Sequence, residues 1–166
     1  MKKAILLTGI IIVGLVIGFF LIKSATKGCG VSKSYYTDGK LRETGRTKDG
    51  KQEGVVKSYY PSGRLKLQIT YKDGKKEGPA TFYFESGKVQ ARVNYKNDQS
   101  NGVSRFYFEN GKLQAEMSYK DGKLDGVSKT YRATGELIYV DVYEDGQMKD
   151  RKPNSAAVLP KANSAK

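Results

Sequence analysis

From residue 30 onward the chain repeats one short pattern of apolar and polar positions. Leu65, Leu67, Ile69 and Tyr71 alternate with Lys66, Gln68 and Thr70. That period of two predicts a β-strand with one buried face and one solvated face. The same alternation returns as Val89, Ala91, Val93, Tyr95 and as Leu113, Ala115, Met117, Tyr119. Ahead of each alternating run lies an aromatic segment, such as Val103 to Phe108, which predicts a second strand. A turn joins the two at Gly39, Gly63, Gly87, Gly111 and Gly135. Pairs such as Asp38-Gly39 and Asn110-Gly111 favour the positive φ that tight hairpins need. A second turn, usually Lys-Asp-Gly-Lys, leads to the next aromatic segment.

Aligned on glycine, the pattern resolves into five units of 24 residues without an insertion: 30–53, 54–77, 78–101, 102–125 and 126–149. The expected architecture is all-β, an elongated antiparallel β-hairpin repeat array of ten strands in a meander. Fourteen of the 19 glycines occupy three positions of the unit, so the glycine excess is turn chemistry. In the first unit Glu43, Gly45 and Thr47 stand where later units have apolar residues and tyrosine, as expected of a terminal repeat without a neighbour. In the last unit Arg132 replaces an aromatic and Asp150 replaces the next glycine, which suits a cap. Asp98 takes the place of a turn glycine, so the loop from Asn97 to Asn101 is expected to differ in shape.

The N-terminus follows other rules. After the basic residues 1–3, residues 4–22 form an uncharged run in which 14 of 19 are Ile, Leu, Val or Phe, closed by Lys23. As a helix this run spans roughly 28 Å, enough for a hydrocarbon core of about 30 Å. It exceeds the usual core of a cleaved signal peptide, so a transmembrane signal anchor is expected, with 23–29 as a juxtamembrane linker. Gly14 and Gly18 have the small-xxx-small spacing that packs membrane helices, a route to a homo-oligomer. Cys29 offers an alternative, a lipoprotein anchored at that thiol, although Thr26 and Lys27 stand where such a signal prefers a leucine and a small residue, respectively. The expected location is the bacterial inner membrane, single-pass, with the repeats on the periplasmic side.

Composition narrows the chemistry. With no histidine and one cysteine, neither a histidine-based nucleophile relay nor a thiolate zinc site is available. The repeated acids form no singular pair for acid/base work. No catalytic residue, metal site or cofactor is expected, and the chain is read as a non-enzyme. Charge remains: Lys plus Arg number 30 against 17 acids. Setting aside lysines 2, 3, 23 and 27 leaves a net charge of +9, spread along the repeats.

The segments YYPSGRLK, YFENGKLQ and YKDGKKEG resemble the MORN-repeat variants, and the resemblance covers residues 30–149. It implies an elongated hairpin array that serves as a scaffold or binding platform. Many bacterial members carry an antitoxin label, which implies a neutralising protein in the cytoplasm; the membrane run does not fit that label.

Two sets of residues are candidates for binding a partner. Phe82-Tyr83-Phe84 and Phe106-Tyr107-Phe108 put aromatic rings on both faces of the first strands, and one face must be covered by a protein partner, a second copy, the membrane or the chain itself, which makes Phe82, Phe84, Phe106 and Phe108, with Tyr36 and Tyr60, the aromatic candidates. Lys40, Arg64, Lys88 and Lys112 recur after the turn glycines and predict a basic row along one edge. That row would attract anionic lipid headgroups or another acidic polymer, nucleic acid being the disfavoured one, or would simply solvate the edge. Residues 150–166, with two prolines and no period, read as a disordered basic tail. The leading expectation is a membrane-anchored scaffold for an unidentified protein partner. A charge-driven binder of anionic surfaces and an antitoxin-like protein are the alternatives.

Overall fold

The chain reverses at Gly39, Gly63, Gly87, Gly111 and Gly135, and again at Asp49, Asp73, Asn97, Asp121 and Asp145, all at positive φ. The computed structural model describes residues 28–154; the run 4–22 with Gly14 and Gly18, and the tail beyond 154, lie outside the described residues. The strands are β1 (Cys29–Tyr35), β2 (Leu41–Lys48), β3 (Lys51–Tyr59), β4 (Leu65–Lys72), β5 (Lys75–Tyr83), β6 (Val89–Lys96), β7 (Gln99–Ser100), β8 (Gly102–Tyr107), β9 (Leu113–Lys120), β10 (Lys123–Leu124), β11 (Gly126–Tyr131), β12 (Leu137–Glu144) and β13 (Gln147–Pro153). They form one antiparallel sheet in chain order, with β7 and β10 as the outlying starts of the β8 and β11 crossings. The array of hairpins is as the sequence predicts, and among the described residues no helix is long and apolar enough to cross a membrane.

Three details differ from expectation. The crossing begins before the unit glycine, at Lys51 and Lys75, so Gly54 and Gly78 sit inside strands at φ 75° and 90°. Register slips there: Ile69 opposes Ala80 while Tyr71 opposes Lys76, so the β5 side carries extra residues as a bulge. The loop at Asp98 keeps the shape of its counterparts. Asn97 and Asp98 have φ 49° and 68°, against 51° and 82° for Asp73 and Gly74. Aspartate tolerates the left-handed region, and Asp98 Oδ1 also accepts the Lys76 amide at 2.8 Å. Finally, residues 150–153, expected within the disordered tail, complete β13 against β12. Three of those four residues are charged or polar and all of β13 is exposed, so hydropathy carried no strand signal, while backbone pairing supplies one.

Packing is one-sided. Paired residues point to the same face, and every buried residue falls on one face: Val56, Ile69, Ala80, Ala91, Val93 and Ala115, with Ser104, Ser128 and Asp141. Val56, Ile69 and Ala80 are covered not by a second layer but by longer neighbours, Leu67, Tyr71, Phe82 and Tyr95, that pack over them. Gly45 belongs to the same buried row. A Cβ there would lie 2.7 Å from Val56 Cγ2. Gly45 is therefore not a decayed terminal position: it is small because Val56 is large, whereas Ile69 in the next unit opposes the small Ala80.

Neighbouring units are stapled along both margins. At one margin Gly74 N–H donates to the Gln52 carbonyl, and Glu53 and Glu77 accept the amides of Asp73 and Asn97, each at 2.9 Å. At the other, the Tyr36 and Tyr60 hydroxyls donate to the carbonyls of Tyr59 and Tyr83 at 2.6 and 2.7 Å. The acids that precede the unit glycines thus tie one unit to the next.

Candidate functional site

The apolar face has three parallel rows. A middle row runs through Val56, Ile69, Ala80 and Val93. On one side Leu67, Phe82, Ala91, Phe106, Ala115 and Thr130 follow each other across the sheet, and from Phe82 to Ala115 large and small side chains alternate. On the other side Tyr71, Tyr95 and Tyr119 stand opposite Gly54, Gly78 and Gly102, where the missing side chain leaves room for the ring. Between the third and fourth units the floor drops to Ala91 and Ser104, and a trough of about 420 Å³ opens between Phe82, Phe106, Tyr95 and Tyr119. A second cleft of about 300 Å³ adjoins it, sharing Phe106 and Gln114 and continuing to Ala115, Met117 and Thr130. Ser104 is 1% exposed, and its hydroxyl has no hydrogen-bond partner among the described residues.

The structure gathers Phe82, Phe84 and Phe106 in this trough. It does not bring the other aromatic candidates there. Phe108 starts a turn, its N–H donating to the Lys112 carbonyl at 2.9 Å, and Tyr36 and Tyr60 reach to the next unit. The basic candidates also serve the array. Arg64 donates to the Glu85 carbonyl at 2.8 Å, and Lys112 Nζ to the Thr134 carbonyl at 2.5 Å. Lys40 pairs with Asp38 at 3.0 Å and, chiefly through that hydrogen bond, holds its carboxyl below the usual carboxylate range. Lys88 is exposed. Cys29 is exposed at the start of β1.

A different basic row lies on the opposite face. Register carries it from Lys33 through Thr44, Lys57, Gln68, Thr81, Arg92, Arg105, Glu116, Lys129 and Val140 to Lys152. Glu116 offsets it locally through an ion pair to Arg105 at 2.8 Å. Exposed Val31, Val55, Val103 and Val127 run beside it. The signal was present in the sequence, because Lys33, Lys57, Arg105 and Lys129 recur at the fourth residue of their units.

Burial, reinforced by Glu43, Asp98 and Tyr95, raises the phenol pKa of Tyr71; burial, reinforced by Tyr143 and Tyr95, raises that of Tyr119. The folded chain therefore holds these protons more tightly than the unfolded chain. Their contribution to stability is complete below the ordinary tyrosine pKa of about 10 and is lost as pH rises above it. Denaturation midpoints should fall on raising the pH past that value, and Tyr71→Phe with Tyr119→Phe should flatten the fall.

The repeat geometry agrees with the family comparison: the MORN repeat variant signature matches residues 29–49, 52–73, 76–97 and 100–121. The chain belongs to the MORN repeat variant family. Structure adds a fifth unit to the four matched. β11 and β12 pair from Gly126↔Tyr143 to Tyr131↔Leu137 with a register shift at Thr130/Tyr131, as β3 and β4 do at Ser58/Tyr59. Comparison with curated proteins returns no match.

Proposed function

We propose that this MORN-variant chain is a membrane-anchored, non-enzymatic scaffold that binds a protein partner through the apolar face of its sheet. It is placed in the bacterial inner membrane by residues 4–22, with the sheet on the periplasmic side. The observation that carries the reading is the trough between Phe82, Phe106, Tyr95 and Tyr119, which is open among the described residues. A concave, aromatic-lined site with a few polar groups is the kind of surface on which a side chain of a partner anchors.

Crosslinking and pulldown from native membranes test it. A partner should be retained at high salt and lost from Phe106→Ala, provided that the variant keeps its circular dichroism spectrum. A second reading has its own support in the row from Lys33 to Lys152, which suits an anionic lipid surface. Capture that vanishes between low and moderate salt but survives Phe106→Ala would favour that row and sink the aromatic reading.

A further inference from the structure

Four seams join the five hairpins, at β2/β3, β4/β5, β6/β8 and β9/β11. Along one margin each seam is closed covalently by a connecting turn, such as Asn97–Asp98 at the third. Along the other margin, beyond the backbone ladder, a seam is held by bonds from one hairpin turn to the next hairpin. Tyr36 holds the first seam in this way, and Tyr60 with Arg64 the second, through the carbonyls of Tyr59, Tyr83 and Glu85. Asn110 and Lys112 hold the fourth through the carbonyls of Ala133 and Thr134. At the third seam the residues in place of Tyr60 and Arg64 are Phe84 and Lys88. Phenylalanine has no hydroxyl to donate, and among the described residues Lys88 bonds to nothing on the fourth hairpin.

The same seam carries a repulsion on the opposite face. Where the row from Lys33 to Lys152 crosses the seams, Thr44 faces Lys57, Gln68 faces Thr81, Arg92 faces Arg105 and Glu116 faces Lys129. At the third seam alone two like charges of this row stand directly opposite, an arrangement that weakens a strand pair. Glu116 takes Arg105 at 2.8 Å from within the fourth hairpin, and Arg92 has no acid partner among the described residues.

We infer that the third seam is a point of opening built into the array, where the third and fourth hairpins splay apart at the turn margin and pivot on the Asn97–Asp98 turn. The trough lies across this seam. Phe82 and Tyr95 belong to the third hairpin, Phe106 and Tyr119 to the fourth, so splaying moves its walls apart. Phe84 leaves the latch unmade. Its turn repeats those of Tyr36 and Tyr60, each N–H donating to the carbonyl four residues on at 2.8 Å. In those two units the hydroxyl reaches the carbonyl 23 residues ahead, which for position 84 is that of Tyr107. The chain instead carries at 84 a ring that lines the trough. The width of the trough is therefore adjustable, whatever the trough binds.

Hydrogen exchange read by mass spectrometry on the full chain in detergent micelles tests this opening. In a linear array the interior hairpins should be the best protected, with fraying confined to the ends. The expected result is that β6 and β8 exchange about fivefold faster than β4 and β5, the worth of one hydrogen bond. Phe84→Tyr supplies the missing hydroxyl and should slow β6 and β8 by a similar factor while leaving β3 and β4 unchanged. Arg92→Gln, which copies Gln68 of the preceding unit, removes the like-charge pair and should slow them as well. Exchange of β6 and β8 no faster than that of β4 and β5, or slowed by neither variant, would overturn the proposal. The measurement needs no partner, so it fails separately from the pulldown.

Discussion

Arg151→Ala should loosen the C-terminal end of the array and lower its denaturation midpoint, because it takes the bidentate partner from the buried Asp141 carboxylate. Asp141 is 5% exposed and occupies the buried row held by Ile69 and Val93 in earlier units. Its two oxygens accept from Arg151 Nε and Nη2 at 2.8 and 3.0 Å, and the guanidinium lies 4.7 Å from the Tyr139 ring centre. Geometry of this bidentate kind is what makes such a pair tolerable off water. Asp141→Met with Arg151→Leu should lose less than Arg151→Ala alone, since it removes the buried carboxylate together with its half-exposed partner. Each hairpin touches chiefly its neighbours, so the loss should stay local. Hydrogen exchange should accelerate in β11, β12 and β13 of Arg151→Ala and stay unchanged in β3 to β6; uniform acceleration would contradict the local cap.

The second large effect is expected at the other end. Gly45→Val should destabilise the array by about 1–3 kcal/mol, as overpacking of a filled site does. The crowding atom is Val56 Cγ2, 2.7 Å from where the new Cβ would be placed. Combining Gly45→Val with Val56→Ala restores the large-against-small arrangement that Ile69 and Ala80 already have. The double variant should recover more than half of the loss, a coupling of about 1–2 kcal/mol in a denaturation cycle. Additive losses would mean that Gly45 is needed for its backbone and not for its size.

Both effects concern positions that look like departures from the repeat. Read along the chain, Gly45 and Asp141 each break the apolar pattern, and a missing side chain or a charge at a core position suggests decay or exposure. Their explanation lies across the sheet, in Val56 and Arg151, residues 11 and 10 positions away. The acids before the unit glycines were similar. Along the chain Glu53 and Glu77 are only repeated acids without a singular partner, yet each accepts a backbone amide from the following unit.

Sequence by itself determined the hairpins, their 24-residue period and the identity of the buried face. These rest on local physics: alternation sets which side chains share a face, and Asp-Gly or Asn-Gly sets where φ turns positive. The tertiary structure alone decided which residues stand opposite each other across units. The bulges at the unit glycines shift register there, so no fixed spacing along the chain predicts the trough above Ser104 or the Asp141–Arg151 cap. The same holds for β13, whose seven exposed residues join the sheet through backbone hydrogen bonds that composition does not encode.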